Sequence, residues 1–311
     1  MIDLVRDVFW NPSTNESLRE ATPEPIVAAL EMLTHLGDGA VIVGLAVLLY
    51  WFGGVYRQRD RVFVIAVGLA GMAIVSGIKG IVALERPDVA VLAFAPEGYG
   101  GYSFPSAHAL GTAVVYTMLA AVSRVGTARQ RYAVAAAIIV VVAYSRVVMG
   151  VHYLGDVVVG VLLGLAFIAV IFRDPDPEVG TLFFLSAAIT VLAFFLGSTE
   201  FATMTIGAAL GGSLAWEYVR HNPASPYGAS ILVLGLIALP LIFLMRGVEV
   251  VFTIHPATEV LGYALATGFA LLVPNIAQRI DHWPMVERLQ QTLPFRGRTI
   301  DPTAIQIVSD R

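Results

Sequence analysis

"YSRVVMGVHYLGD", residues 144–156, lies between two long apolar runs and places Arg146, His152 and Asp156 where the flanking chain carries almost no charge. Charge is scarce throughout. Of the 311 residues, 57% are hydrophobic and 14% charged, where a soluble domain carries about 25% charged residues. The apolar residues are not scattered but gathered into runs. That pattern predicts a polytopic membrane protein, because a spanning helix needs about 20 mostly apolar residues. Nine spans are expected, at about 39–54, 62–83, 105–123, 132–149, 152–172, 181–198, 201–218, 229–246 and 256–276. Residues 26–37 form a shorter apolar segment suited to the interface. The predicted fold is thus all-α, a polytopic transmembrane helical bundle.

The remaining composition excludes several classes. A net charge of -4 gives no global reason for a nucleic-acid partner. The chain has no cysteine, so disulfides, thiolate nucleophiles and thiolate metal sites are ruled out. The first 24 residues read as an interfacial or loosely ordered lead-in, and Asn15-Glu16-Ser17 matches a glycosylation acceptor pattern. Residues from 280 onward form a polar tail, either an amphipathic surface helix or disordered chain. Glycines four apart, Gly160 with Gly164 and Gly207 with Gly211, suit close helix packing in lipid rather than chemistry.

Arginine sets the expected orientation. Under the nine-span count Arg57, Arg59, Arg61, Arg124, Arg129, Arg131, Arg173 and Arg220, with the arginines of the tail, share one side. That side is expected to be cytoplasmic. Arg86 and Arg146 fall on the other side, among polar residues at span ends, and need another explanation.

Three short stretches supply one. In "KGIVALERPD", Lys79 is the only lysine, against eighteen arginines. Seven residues separate it from Arg86, so both are expected on one helical face, with Pro87 ending the helix. A cation near the bilayer centre costs about 2.5–3.5 kcal/mol, which makes such residues functional by default. The alternative is that both snorkel to the headgroups. In "GYGGYSFPSAHALG", Gly98, Gly100 and Gly101 form a flexible lead-in and Ser106 is a candidate helix cap. The unpaired N–H groups near Ala107 and His108 would then form an anion site. Ser106 as a plain cap, with His108 as an interfacial residue, is the competing reading. In the opening stretch, His152 and Asp156 are four apart and are expected on one helical face. The carboxylate can hold one ring nitrogen protonated and leave the other as a lone pair, fit for a nucleophile or base. Arg146 can bind two phosphate oxygens. A structural Arg146–Asp156 ion pair is the competing reading. Taken together, cations and a helix start imply phosphate, and two histidines imply one attacking group and one proton donor. No carboxylate cluster for a divalent ion is evident, so the reaction is expected to need no metal and no cofactor.

These residues resemble a known family. Lys79 with Arg86-Pro87, Pro105-Ser106-Ala107-His108, and Ser145-Arg146 with His152 and Asp156 follow, in order, the three signatures of the type 2 phosphatidic acid phosphatase superfamily, which includes vanadium haloperoxidases. The motifs cover residues 79–156. The resemblance implies a membrane phosphatase core at 25–172. Residues 181–276 match no motif, so 173–279 reads as extra transmembrane helices in an accessory bundle for packing or dimerisation, with a second substrate or transport role as the alternative. The arginine pattern makes 280–311 a cytoplasmic tail. The resemblance implies His152 as the nucleophile that becomes phosphohistidine, Asp156 as its orienting partner and His108 as general acid and then base. Lys79, Arg86, Arg146, Ser106 and the backbone at Ala107 would bind phosphate. Ala107 stands where the family usually has glycine, which is expected to alter substrate fit. The implied partner is a lipid phosphate or polyprenyl diphosphate in the bilayer of the cell membrane, met on the non-cytoplasmic face. Homo-oligomerisation stays open. The alternatives are a lipid phosphotransferase with an alcohol acceptor and a phospholipid-binding transporter without chemistry.

Overall fold

The computed structural model describes residues 8–53, 57–88, 100–197, 201–251 and 254–293, and these contain helices and no strands. Among the described residues twelve α-helices follow one another. They are α1 (Pro12–Glu20), α2 (Glu24–Leu33), α3 (Gly39–Phe52), α4 (Gln58–Val82), α5 (Ala107–Val122), α6 (Ala128–Val148), α7 (Leu154–Ile171), α8 (Val179–Phe195), α9 (Ala202–His221), α10 (Gly228–Val251), α11 (Pro256–Arg279) and α12 (Pro284–Thr292). The fold is an all-α membrane bundle, as the apolar runs predict, and a helix stands at each of the nine expected spans. Among the described residues four of these, α4, α6, α7 and α11, are long and apolar enough to cross a membrane alone. A fifth candidate is a bent pair, Glu24–Gly37 with Gly39–Phe52, which turns by 52° at its break. The segment expected in the interface is therefore one arm of a broken helix. Its last turn, Thr34–Gly37, narrows to a 3₁₀ helix before Asp38.

The chain divides into two compact units. The first takes residues within 1–44, 67–178 and 188–202, the second those within 45–66, 179–187 and 203–311. In the first unit α5 is the buried centre, with nine buried residues from Ala109 to Ala120. Helix α7 reaches it along the glycine stripe. A Cβ at Gly160 would stand 3.0 Å from the Ser106 carbonyl oxygen, and one at Gly164 only 2.8 Å from Ala113 Cβ. Alanine at either position would push the helices apart, so here the small-residue spacing works as packing. Helix α6 starts from a capping box made by Thr127 and Gln130.

Within the second unit, Gly207 and Gly211 of α9 lie against the backbone of α11 at Val260 and Ala264. Pro274 sits inside α11 and has no N–H for the carbonyl of Ala270. Trp51 Nε1 donates to that oxygen at 2.8 Å, and Tyr50 Oη donates to the next carbonyl, Leu271, at 2.7 Å. The proline's lost hydrogen bond is thus replaced by side chains, as lipid-embedded backbone requires. Arg61, one of the arginines taken as a loop cation, is instead buried in α4 and donates to the Tyr50 carbonyl.

Candidate active site

Lys79, in the last turn of α4, is fully buried and donates from Nζ to the Tyr102 carbonyl. It does not snorkel. The helix that carries it ends at Val82, before Arg86. Ala83 follows at φ 48°, a left-handed conformation that a helix does not continue through. Arg86 thus leaves an irregular segment rather than the face of α4, which corrects the two-turn expectation. Its Nη1 donates to the Val151 carbonyl at 3.2 Å and lies 3.4 Å from His152 Nε2.

His152 also stands outside a helix. Helix α6 ends at Val148, Gly150 turns the chain at φ 75°, and α7 begins at Leu154. The four-residue spacing to Asp156 holds, but across a helix start. Nδ1 of His152 is 3.5 Å from Asp156 Oδ2. Ser103 Oγ comes between them, donating to Asp156 Oδ2 and lying 3.4 Å from His152 Nδ1. A guanidinium can only donate, so Arg86 requires a lone pair on Nε2. The proton of the neutral ring is then on Nδ1, facing Ser103 and Asp156. Burial, followed by the charges of Arg86, Arg146, Lys79 and His108, holds His152 well below the usual imidazole range. The ring is therefore neutral and carries a lone pair at neutral pH.

Asp156 is fully buried. It accepts from Trp10 Nε1 at 3.0 Å and from the Tyr153 N–H at 2.9 Å, besides Ser103. Those donors occupy the carboxylate that the competing reading gave to Arg146. Arg146, in the last turn of α6, donates to Thr34 Oγ1 at 3.1 Å. Ser106 caps α5, its Oγ accepting from Ala109 N at 3.4 Å, and its own N–H donates to the Asp156 carbonyl oxygen at 3.1 Å. Ala107 and His108 follow as the first helical residues, so their N–H groups have no partner inside the helix. His108 Nε2 lies 2.9 Å from Asp38 Oδ1.

The sequence-predicted residues are thus brought into one cluster in the first unit. Gly98 lies outside the described residues, and Gly100 and Gly101 precede Ser103. The sequence gives no site role to Trp10, Asn15, Thr34, Asp38 or Ser103. Asn15 is 2% exposed and its Nδ2 donates to the Val147 and His152 carbonyls at 3.0 and 2.8 Å. An amide so engaged cannot take a glycan, so the acceptor pattern is accidental. Helix α1 lies in the stretch expected to be an interfacial or loosely ordered lead-in. It packs on α6, and Gly155 makes room for the Trp10 indole, which a Cβ there would meet. One signal was available for Ser103, a hydroxyl in the same stretch as Ser106. None marked Trp10 or Asn15.

Comparison with known proteins gives the family of the chain. The sequence profile of the PAP2 superfamily matches residues 60–179. Phosphatidylglycerophosphatase B of Bacillus subtilis is 31% identical over 140 residues, 43% of this chain and 67% of the relative. The chain belongs to the PAP2 superfamily. Decaprenylphosphoryl-5-phosphoribose phosphatase of Mycobacterium tuberculosis is 28% identical over 146 residues, 47% of this chain and 78% of the relative. Among solved structures, a transmembrane PAP2-type phosphatidylglycerolphosphate phosphatase from Bacillus subtilis has a TM-score of 0.46 at 25% identity, covering 52% of this chain and 84% of that one. Aquifex aeolicus LpxE has a TM-score of 0.43 at 20% identity, covering 52% and 94%. This PAP2 protein is accordingly a multi-pass membrane enzyme, a phosphoric ester hydrolase of the lipid phosphatase kind.

Proposed function

We propose that this PAP2 protein hydrolyses a lipid-linked phosphomonoester or diphosphate through a phosphohistidine on His152, without a metal ion. The observation that carries this is the state of the His152 ring. Its Nε2 lone pair faces Arg86, at a point on which the charges of Lys79, Arg86 and Arg146 converge. In the first step Nε2 attacks phosphorus and the bond to the leaving oxygen breaks. Lys79, Arg86, Arg146, Ser106 and the N–H groups of Ala107 and His108 bind the phosphoryl oxygens, whose charge grows in the transition state. His108 gives a proton to the leaving oxygen. In the second step His108 takes a proton from water, the new P–O bond forms, and the P–N bond breaks to release phosphate. Asp156 and Ser103 hold the Nδ1 side of His152 throughout.

The lipid class is supported by the names of two relatives, a decaprenylphosphoryl-5-phosphoribose phosphatase and a phosphatidylglycerophosphatase. The catalytic core takes residues 25–172 and the helices of 173–279 are an accessory bundle. The site faces away from the cytoplasm of the cell membrane. The support is the arginine bias of the loops, now without Arg61. Metal independence is supported by the donor set: among the described residues no three His, Asp or Glu side chains gather as metal ligands do.

Rapid-quench trapping with a radiolabelled lipid monophosphate tests the reading. An acid-labile phosphoenzyme is expected in chelator, and vanadate is expected to inhibit as a mimic of phosphate under attack. Activity that vanishes with chelator and returns with magnesium would remove the metal-free step. Transfer of the label to an added alcohol in preference to water would make the enzyme a phosphotransferase.

A further inference from the structure

The second histidine has a carboxylate of its own, on a distant part of the chain. Asp38 lies at the break of the bent helix pair, between the 3₁₀ turn Thr34–Gly37 and α3. Both of its oxygens are used. Oδ1 is 2.9 Å from His108 Nε2 and Oδ2 is 2.7 Å from His35 Nδ1. The approach is built rather than incidental. Gly37 lies so close to α5 and α6 that a Cβ there would stand 2.6 Å from Val142 Cγ1 and 3.2 Å from the His108 ring. Tyr116 Oη donates to the Leu36 carbonyl at 2.9 Å and fixes the turn to α5. Arg146 donates to Thr34 Oγ1 and fixes the start of the turn to α6. A broken apolar helix thus ends its first arm on three tethers and presents a carboxylate to His108.

We propose that Asp38 is the positioning residue of the general acid, holding His108 by Nε2 so that Nδ1 is the nitrogen that exchanges a proton with substrate. The inference rests on the phosphatase reading above. Burial, and then the Arg146 and Arg86 guanidinium groups, oppose a proton on His108, and Asp38 is the negative partner that favours it. Nδ1 makes no hydrogen bond among the described residues, which leaves it available. In the first step the Nδ1 proton passes to the leaving oxygen as the P–O bond breaks, while Nε2–H stays on Asp38. The neutral ring then has a lone pair on Nδ1, and water gives its proton there as its oxygen bonds phosphorus and the P–N bond breaks. The carboxylate keeps its charge through both steps. His35 on Oδ2 sets the direction of Oδ1 and touches nothing that reacts.

The test compares Asp38→Asn, Asp38→Glu and the wild-type enzyme in rapid-quench phosphorylation by a lipid monophosphate and by nitrophenyl phosphate. Nitrophenolate leaves without needing a proton, so only the lipid substrate reads the acid. Asp38→Asn is expected to slow phosphorylation by the lipid about 10- to 100-fold, part of the 10²–10⁴ that general acids contribute. With nitrophenyl phosphate the loss should stay under about threefold, as befits a step in which the acid contributes little. Asp38→Glu should recover part of the lipid rate. Equal losses on both substrates would make Asp38 a structural residue, and no loss on either would remove its role, so each overturns the inference while the phosphohistidine reading stands. A wild-type enzyme that traps no phosphoenzyme removes that reading, and the inference with it.

Discussion

Two histidine–carboxylate pairs share the site and differ in almost every respect. His152 and Asp156 are four residues apart, and their side chains are 2% and 0% exposed. His108 and Asp38 are 70 residues apart, and their side chains are 25% and 38% exposed. The first pair does not bond closely: its 3.5 Å separation is spanned by Ser103. The second makes direct contact at 2.9 Å. Their surroundings suit two tasks. A nucleophile needs a lone pair, and burial among cations keeps the His152 ring neutral. A proton donor must exchange with water between turnovers, which a half-exposed pair permits. The two rings to which the proposed mechanism gives attack and proton donation thus differ in burial and in how a carboxylate holds each.

The sharpest way to break this division is to remove the nucleophile. His152→Ala should trap no phosphoenzyme with any substrate and lose more than about 10⁴-fold in turnover, as enzymes that lose their covalent nucleophile do. A phosphoenzyme in this variant would move the nucleophile elsewhere and end the assignment of residues 144–156. Removing the donor should cost less and depend on substrate. His108→Ala should slow phosphorylation by a lipid monophosphate about 10²–10⁴-fold. With nitrophenyl phosphate the loss should be under about tenfold, since that leaving group needs little acid help. Equal losses would leave the two histidines without separate roles.

The comparison also shows what the sequence could tell. Lys79, Arg86, Ser106, His108, Arg146, His152 and Asp156 were legible because charge and imidazole stand out against apolar runs, and because short spacings fix their geometry. The helices were legible for the same reason, through the contrast of apolar length and polar junction. What lay hidden depends on contacts between distant segments. Trp10 and Asn15 sit in a polar lead-in, where neither residue type stands out, yet Trp10, just before α1, and Asn15, within it, reach Asp156 and the His152 carbonyl. Asp38 looks like an ordinary residue between two apolar runs, and only the bend at that point turns it toward His108. The local error at Arg86 has a different source. A spacing of seven implies one face only while the helix continues, and nothing in "IVALERP" marks its end at Val82.

Ser103 sharpens the comparison at a smaller scale. Ser103→Ala removes the hydroxyl between Asp156 and His152 and keeps the two N–H donors on the carboxylate, Trp10 Nε1 and Tyr153 N. A hydrogen bond to a charged group is worth about 1.5–3 kcal/mol. Phosphorylation should therefore slow about 10- to 100-fold, by nearly equal factors for lipid and nitrophenyl substrates. Equality is the informative part: a group that serves the nucleophile cannot distinguish leaving groups. A loss confined to the lipid substrate would place Ser103 with the donor pair instead.

The smallest effect is on stability, and its sign follows from the depressed His152 titration. In the unfolded chain this imidazole takes a proton near its ordinary value of 6.5, while in the fold it resists until well below that. Below pH 6.5 the unfolded state therefore binds the extra proton, and folding becomes less favourable as pH falls. The stability that the neutral ring allows is fully present above 6.5 and is lost progressively between 6.5 and the folded value. The slope cannot exceed about 1.4 kcal/mol per pH unit for one group. Thermal unfolding in detergent between pH 7.5 and 5.5 measures it, with His152→Ala as the reference that lacks this imidazole. The wild-type enzyme should lose more stability over that interval than the variant does. Parallel curves would mean that His152 takes up its proton in the fold as readily as in water, and the proposed role of that ring as a neutral nucleophile would then lose its physical basis.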